Sequence, residues 1–194
     1  MTKAEKTRQF IIEQTAPLFN TKGVAGTSTS DIMGATKLAR GALYVHFDSK
    51  EDLVNCAVAY NLQLFVERTS AVSDQFESAK DKFFGLLDYM SDPLNPPVQG
   101  GCPMMNFGME ADDTNPAIRE QVNQIVCGVQ EGMAAILKKG IADGEFKKDW
   151  DAEEFATKAY AMIEGGILIS RVSQDISKMK MLINLLKKEI NLQC

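Results

Sequence analysis

Between Thr27 and Phe47 the chain reads TSTSDIMGATKLARGALYVHF, and DSKEDL follows at once. Hydrogen-bonding and cationic side chains alternate here with residues of almost no bulk. Arg40 carries a planar fork that can bond both acceptors of a guanine edge. Lys50 brings a point charge suited to phosphate or a base edge, and Thr27, Ser28 and Tyr44 add hydroxyls for backbone contacts. His46, the single histidine of the chain, suits a backbone contact or packing better than catalysis. At Gly41 and Ala42 any added bulk would block a close approach. The chemistry these residues can do is non-covalent: phosphate contacts that position and base-edge contacts that specify.

Two short helices joined by a tight turn are needed to present them. Ser28-x-x-Asp31 is an acidic variant of the capping box, which starts a helix at that point. Ile32 and Ala35 share one side of it. Ala39, Gly41 and Ala42 then leave the opening of a second helix free of bulk, while Leu43 and Phe47, four residues apart, anchor its other face. Ser49 is a good N-cap for a long third element, with Lys50 in its first turn.

The segment resembles the helix-turn-helix of the TetR (tetracycline-repressor-like) family, whose signature runs from T-x-x-x-[DE]-I through G-x-[LF]-Y-x-[HY]-F to S-K-E-x-L. Thr27, Asp31, Ile32, Gly41, Leu43, Tyr44, His46, Phe47, Ser49, Lys50, Glu51 and Leu53 fall in register with it. The match spans about the first quarter of the chain, and its specificity comes from many residue types at fixed spacing. Two positions depart from the pattern: Lys37 stands at the usual turn glycine and Ala39 at the usual capping serine. The resemblance implies a turn of altered shape and one phosphate contact fewer.

Composition sets the frame. With 194 residues, 45% hydrophobic and 24% charged, the chain can bury a core in one or two small domains. No run of about 18 or more apolar residues suggests a membrane span, and the charged, amphipathic N-terminus lacks a secretory signal's apolar core. A cytoplasmic protein with no membrane partner is the expectation. The net charge of −5 is unevenly spread: residues 1–50 carry +3, so the remainder carries −8. An electropositive head on an acidic body suits a DNA binder with a separate regulatory part. Cys56, Cys102, Cys127 and Cys194 are scattered without a C-x-x-C pair, so neither a metal site nor a structural disulfide is expected, and no cofactor.

Apolar spacing predicts an all-α chain of about nine helices: an N-terminal three-helix helix-turn-helix domain over 1–48, and a helical regulatory and dimerisation domain over 49–194. The first helix is read from Thr2 to Lys22, interrupted by Pro17. Later helices are read from Ser49 towards Arg68, Ala79 to Met90, Pro103 onward, Pro116 to a stop at Gly144, a capping box at Asp151-x-x-Glu154 leading to Val172, and Ile176 to Leu192.

The resemblance implies pairing of two copies through the last two helices, and Ala161, Gly165, Gly166, Leu168, Ile183 and Leu186 are the expected dimer face. It also implies a ligand cavity among the middle helices, where Tyr60, Leu64, Phe83, Leu87, Cys102, Met104, Phe107 and Met133 would meet an apolar or aromatic effector. The same residues at helical spacing also read as ordinary core. GGCPMMN resembles a stretch of a TetR branch containing electrophile and oxidant sensors, although only acidic residues flank Cys102 here. Its position at a helix start favours a reactive thiolate, while an inert cap is the plainer reading. Glu110, Asp112 and Asp113 read as a hydrated acidic face.

The function expected is a homodimeric, ligand-responsive DNA-binding regulator, a repressor released from a palindromic operator by a small molecule, with double-stranded DNA as partner. The alternatives are a thiol-based sensor using Cys102, or a helical small-molecule-binding protein or enzyme without DNA binding. The enzyme reading has little support: one histidine, no glycine-rich phosphate loop and no pointed carboxylate pair.

Overall fold

The computed structural model describes all residues, 1–194, as nine α-helices and no strand: α1 (Lys3–Lys22), α2 (Thr29–Thr36), α3 (Arg40–Leu43), α4 (Lys50–Ser73), α5 (Ala79–Tyr89), α6 (Pro103–Ala111), α7 (Pro116–Asp143), α8 (Ala152–Ser173) and α9 (Ser177–Asn191). No helix is long and apolar enough to cross a membrane. The chain forms two compact units, one of residues 1–65 with 98–123 and one of residues 66–97 with 124–194.

In the first unit, Ile11, Ala16 and Phe19 of α1 are wholly buried, as are Ala57 and Val58 of α4. Thr2 and Glu5 form a reciprocal capping box at the start of α1. Pro17 does not interrupt that helix. The carbonyl that a proline leaves unpaired belongs to Glu13, which is exposed and can be hydrated. Gly23 ends α1 at φ 79°, its N–H donating to the Phe19 carbonyl. Arg8 lies 4.7 Å over the Phe47 ring and donates to Cys56 Sγ at 3.0 Å, joining α1 to the segment after α3 and to α4.

In the second unit an aromatic run fills the core. Phe83 lies 5.7 Å from Phe155, Phe155 lies 4.9 Å from Trp150, and Trp150 lies edge-on to Phe146 at 5.1 Å. Glu145 accepts from the Ala79 and Lys80 N–H groups at 3.0 and 3.2 Å, satisfying free donors at the start of α5. Asp151 caps α8 by accepting from Glu153 and Glu154, but the return bond that would complete a capping box is not made. α9 packs on α8 and α5 through Met179, Ile183, Leu186 and Ile190, a stripe at helical spacing.

Candidate nucleic-acid interface

Ser28 and Asp31 make both halves of the expected capping box at the start of α2. Lys22 donates to Asp31 Oδ1 at 2.5 Å, and this bond, with those from Ser28, holds the Asp31 carboxyl well below the usual carboxylate range. α2 stops at Lys37, which sits in the left-handed region at φ 59°, ψ 22°. A lysine there costs about 1–2 kcal/mol that glycine would avoid. Ala39 occupies the next N-cap position and, having no side-chain oxygen, makes no cap bond.

The second helix is shorter than expected, only Arg40 to Leu43, and Tyr44 to His46 continue as turns. A capless start, Gly41 and the β-branched Val45 all weaken helix here. Leu43 and Phe47 are buried, 4% and 3% exposed, so the anchoring face is as the spacing required. On the outside, Ala39, Arg40, Gly41, Ala42, Tyr44 and Val45 are exposed in sequence. A Cβ on Gly41 would meet nothing within 4 Å, and the Arg40 guanidinium lies 5.9 Å from the Tyr44 ring centroid. Ser28 is exposed and His46 half-buried.

Two residues of the expected DNA surface are used otherwise. Thr27 is fully buried, and its hydroxyl donates to the Gly23 carbonyl at 2.7 Å, tying the α1–α2 loop rather than facing solvent. Lys50 turns inward, its Nζ donating to the carbonyls of Thr27 at 2.6 Å and Val24 at 3.4 Å. Sequence reasoning missed Glu110. It does not belong to a hydrated acidic face: its carboxylate accepts from the Val24 and Ala25 N–H groups at 2.8 Å each. A carboxylate in the last turn of α6, unfavourable against the helix dipole, is the sequence signal that could have marked it. Glu110 also lines a groove of about 190 Å³ with Val24, Ala25, Phe107, Thr114 and Ile118.

The residues expected around an effector fall in both units. Tyr60, Leu64, Cys102, Met104 and Phe107 belong to the first; Phe83, Leu87 and Met133 to the second. Tyr60 and Leu64 are half-buried and the other six are buried. Cys102 caps α6 without a side-chain cap bond and is 4% exposed. No cysteine is in a disulfide, and no group of three or more His, Cys, Asp or Glu side chains is placed to hold a metal ion.

The expected dimer face divides in two. Ala161 and Leu168 are exposed and Gly165 half-exposed, a Cβ on Gly165 meeting nothing within 4 Å. Gly166, Ile183 and Leu186 instead face the chain's own core; a Cβ on Gly166 would lie 2.4 Å from Met179 Sδ. That contact gives Gly166 a reason within the chain, room for the bulky Met179 of α9. Ile169, Val172, Met181 and Leu185 are the large apolar residues exposed on α8 and α9 besides Leu168.

Known proteins share both the sequence pattern and the fold. The family profile described as "Bacterial regulatory proteins, tetR family" matches residues 11–56, and that described as "Tetracyclin repressor-like, C-terminal domain" matches residues 81–186. A TetR-family regulator from Chloroflexus aurantiacus is 35% identical, with a TM-score of 0.93 over 100% of this chain and 98% of that one. One from Cytophaga hutchinsonii is 34% identical, with a TM-score of 0.92 over 100% and 97%. An uncharacterized helix-turn-helix regulator of Lactococcus lactis, encoded in the lacX 3' region, is 26% identical over 93% of this chain and 91% of its own length. Through both its helix-turn-helix segment and its C-terminal helices, the chain belongs to the TetR family and is a ligand-responsive DNA-binding regulator of that type.

Proposed function

We propose that the chain works as a homodimeric repressor that leaves a palindromic operator when a small apolar or aromatic molecule binds. The observation that carries this reading is the exposure of Ala39 to Ala42 with Tyr44 and Val45, where small residues flank Arg40 and Tyr44 above the buried Leu43 and Phe47. Such a surface can enter a major groove, with Arg40 reading guanine and Ser28, Tyr44 and the half-buried His46 close to the backbone. Residues 1–48 act as the DNA head and 49–194 as the regulatory part. The exposed apolar residues of α8 and α9, with Ala161, Gly165 and Leu168, support pairing of two copies, which places two heads on half-sites about 34–36 Å apart or a modest extension of that. Repression follows from occupancy, since a dimer seated in successive grooves excludes other proteins from the same DNA.

Of the expected effector contacts, Tyr60, Leu64, Met104 and Phe107 lie together in the first unit and are the ones proposed, and α4, which runs from Lys50 to Ser73, is one connection to the head. An effector loosens DNA only if it prefers a conformation whose heads no longer fit. Cys102 as a covalent trigger is not favoured, because a thiol 4% exposed needs local opening before it reacts. Selection of duplexes from a random library tests the reading. Inverted half-sites are the expected outcome, and release by electrophiles in the parent but not in Cys102→Ser would reinstate the thiol.

A further inference from the structure

We propose that Glu110 is the positioning residue through which α6 holds the DNA head in its groove-fitting arrangement. The proposal rests on the regulator reading above. The joint between α1 and α2, residues Gly23 to Thr27, is held from two sides. Glu110 takes the N–H groups of Val24 and Ala25, both at 2.8 Å, and Lys50 takes the carbonyls of Thr27 and Val24 at 2.6 and 3.4 Å. The peptide units of Val24 thus lie between a carboxylate and an ammonium, each satisfying the backbone group of matching polarity. Thr27 closes the same loop onto Gly23, and the capping box at Ser28 begins immediately after it. Whatever fixes this loop fixes where α2 starts, and with it the recognition surface that follows.

A second grip on α1 comes from the same helix. Asn106, four residues before Glu110, donates from Nδ2 to the Asn20 carbonyl at 2.9 Å, and Asn20 is 2% exposed. The Asn20 side chain in turn donates to the carbonyls of Gln99 and Gly101 at 2.8 and 3.1 Å. Asn106 is the asparagine of the GGCPMMN segment, so that segment serves as a clasp on the end of α1. The space is tight: a Cβ on Gly23 would lie 2.9 Å from Glu110 Oε2. α6 also carries Met104 and Phe107, proposed effector contacts. One rotamer of Glu110 makes both bonds to the loop, so a shift of α6 that accommodates an effector breaks the two together. Release is therefore a single event that biases the head between two arrangements.

The sign of one substitution separates this role from general electrostatics. Removing a negative charge near DNA by itself strengthens binding. Loss of the latch weakens it. Duplexes selected by the parent protein serve as the probe, and affinity is measured by fluorescence anisotropy at a temperature where circular dichroism shows each protein fully folded. Glu110→Gln is expected to bind about ten-fold more weakly, within the usual range of coupling between sites. Asp112→Asn, with the same charge change on an exposed neighbour, is expected to bind as the parent does or more tightly. Amide exchange in the parent should show Val24 and Ala25 protected, and in Glu110→Gln both should exchange faster; this local readout needs no DNA. Equal operator affinity in parent and Glu110→Gln overturns the latch while leaving the regulator reading standing. Unprotected Val24 and Ala25 amides in the parent overturn it too. A parent that selects no duplex at all overturns the regulator reading, and the latch with it.

Discussion

Gly165 and Gly166 are neighbours in α8 with different surroundings: a Cβ on Gly166 would lie 2.4 Å from Met179 Sδ, and one on Gly165 would meet nothing within 4 Å. The pair therefore separates folding from assembly. Gly166→Leu is expected to destabilise the folded chain by about 1–3 kcal/mol or more through overpacking, read as a lowered denaturant midpoint. Gly165→Leu should leave that packing intact and convert dimer to monomer in sedimentation. A tight dimer in Gly165→Leu would move the interface away from this face of α8.

Lys50 and Arg40 should differ in how they answer to salt. The Lys50 ammonium is engaged by the Thr27 and Val24 carbonyls, whereas Arg40 is exposed. Each phosphate contact contributes about 0.9 to the slope of log affinity against log salt. Lys50→Ala is expected to weaken operator binding by loosening the loop, with the slope nearly unchanged. A slope lowered by about 1 in Lys50→Ala would return that residue to the DNA surface.

Lys37 is a lysine held at φ 59° at the end of α2. Lys37→Gly removes the left-handed penalty and is expected to raise stability by about 1 kcal/mol, visible as a higher thermal midpoint. An unchanged or lower midpoint would mean that the turn is not strained by its side chain.

Asp31 gives the α2 cap a defined pH response. Its carboxyl is held below the ordinary 3.8, first by the Lys22 bond and then by Ser28. A carboxylate whose folded value is depressed contributes stability that is present above the unfolded value and is lost as pH falls through the folded one. The Ser28 amide resonance, which reports the cap, should therefore hold its position as pH falls through about 4, the ordinary carboxylate range, and move only below it. A midpoint at the ordinary value would show that the Lys22 and Ser28 bonds do not persist in solution. Asp31→Asn should abolish the transition.

The helices and their order were legible because they are written in local signals: Ser28-x-x-Asp31, Cys102-Pro103, Asn115-Pro116 and the Gly144 stop each mark a boundary that the structure places within a residue or two. The anchor residues Leu43 and Phe47 followed from spacing alone. What sequence could not supply was the direction of a side chain whose partner is distant in the chain. Lys50 reaches back 26 residues to Val24, Glu110 reaches 86 residues to the same loop, and Gly166 is explained by Met179 on the next helix. A basic residue beside a helix-turn-helix reads as a phosphate contact, and an acidic one near Asp112 and Asp113 reads as surface, until the fold brings a backbone partner to each. The division of the α8–α9 residues into inner and outer sets had the same origin, because the apolar pattern of α9 covers more than one face.

The surface proposed to read DNA is formed by the exposed Arg40, Gly41, Ala42, Tyr44 and Val45. Its most direct test is the affinity of parent and Arg40→Ala for a selected duplex, measured by anisotropy across a series of salt concentrations. Log affinity of the parent is expected to fall linearly with log salt, and Arg40→Ala is expected to lose about 1–3 kcal/mol of binding with relaxed preference at one guanine. Binding by Arg40→Ala as tight and as selective as the parent's, at every salt concentration, would contradict it.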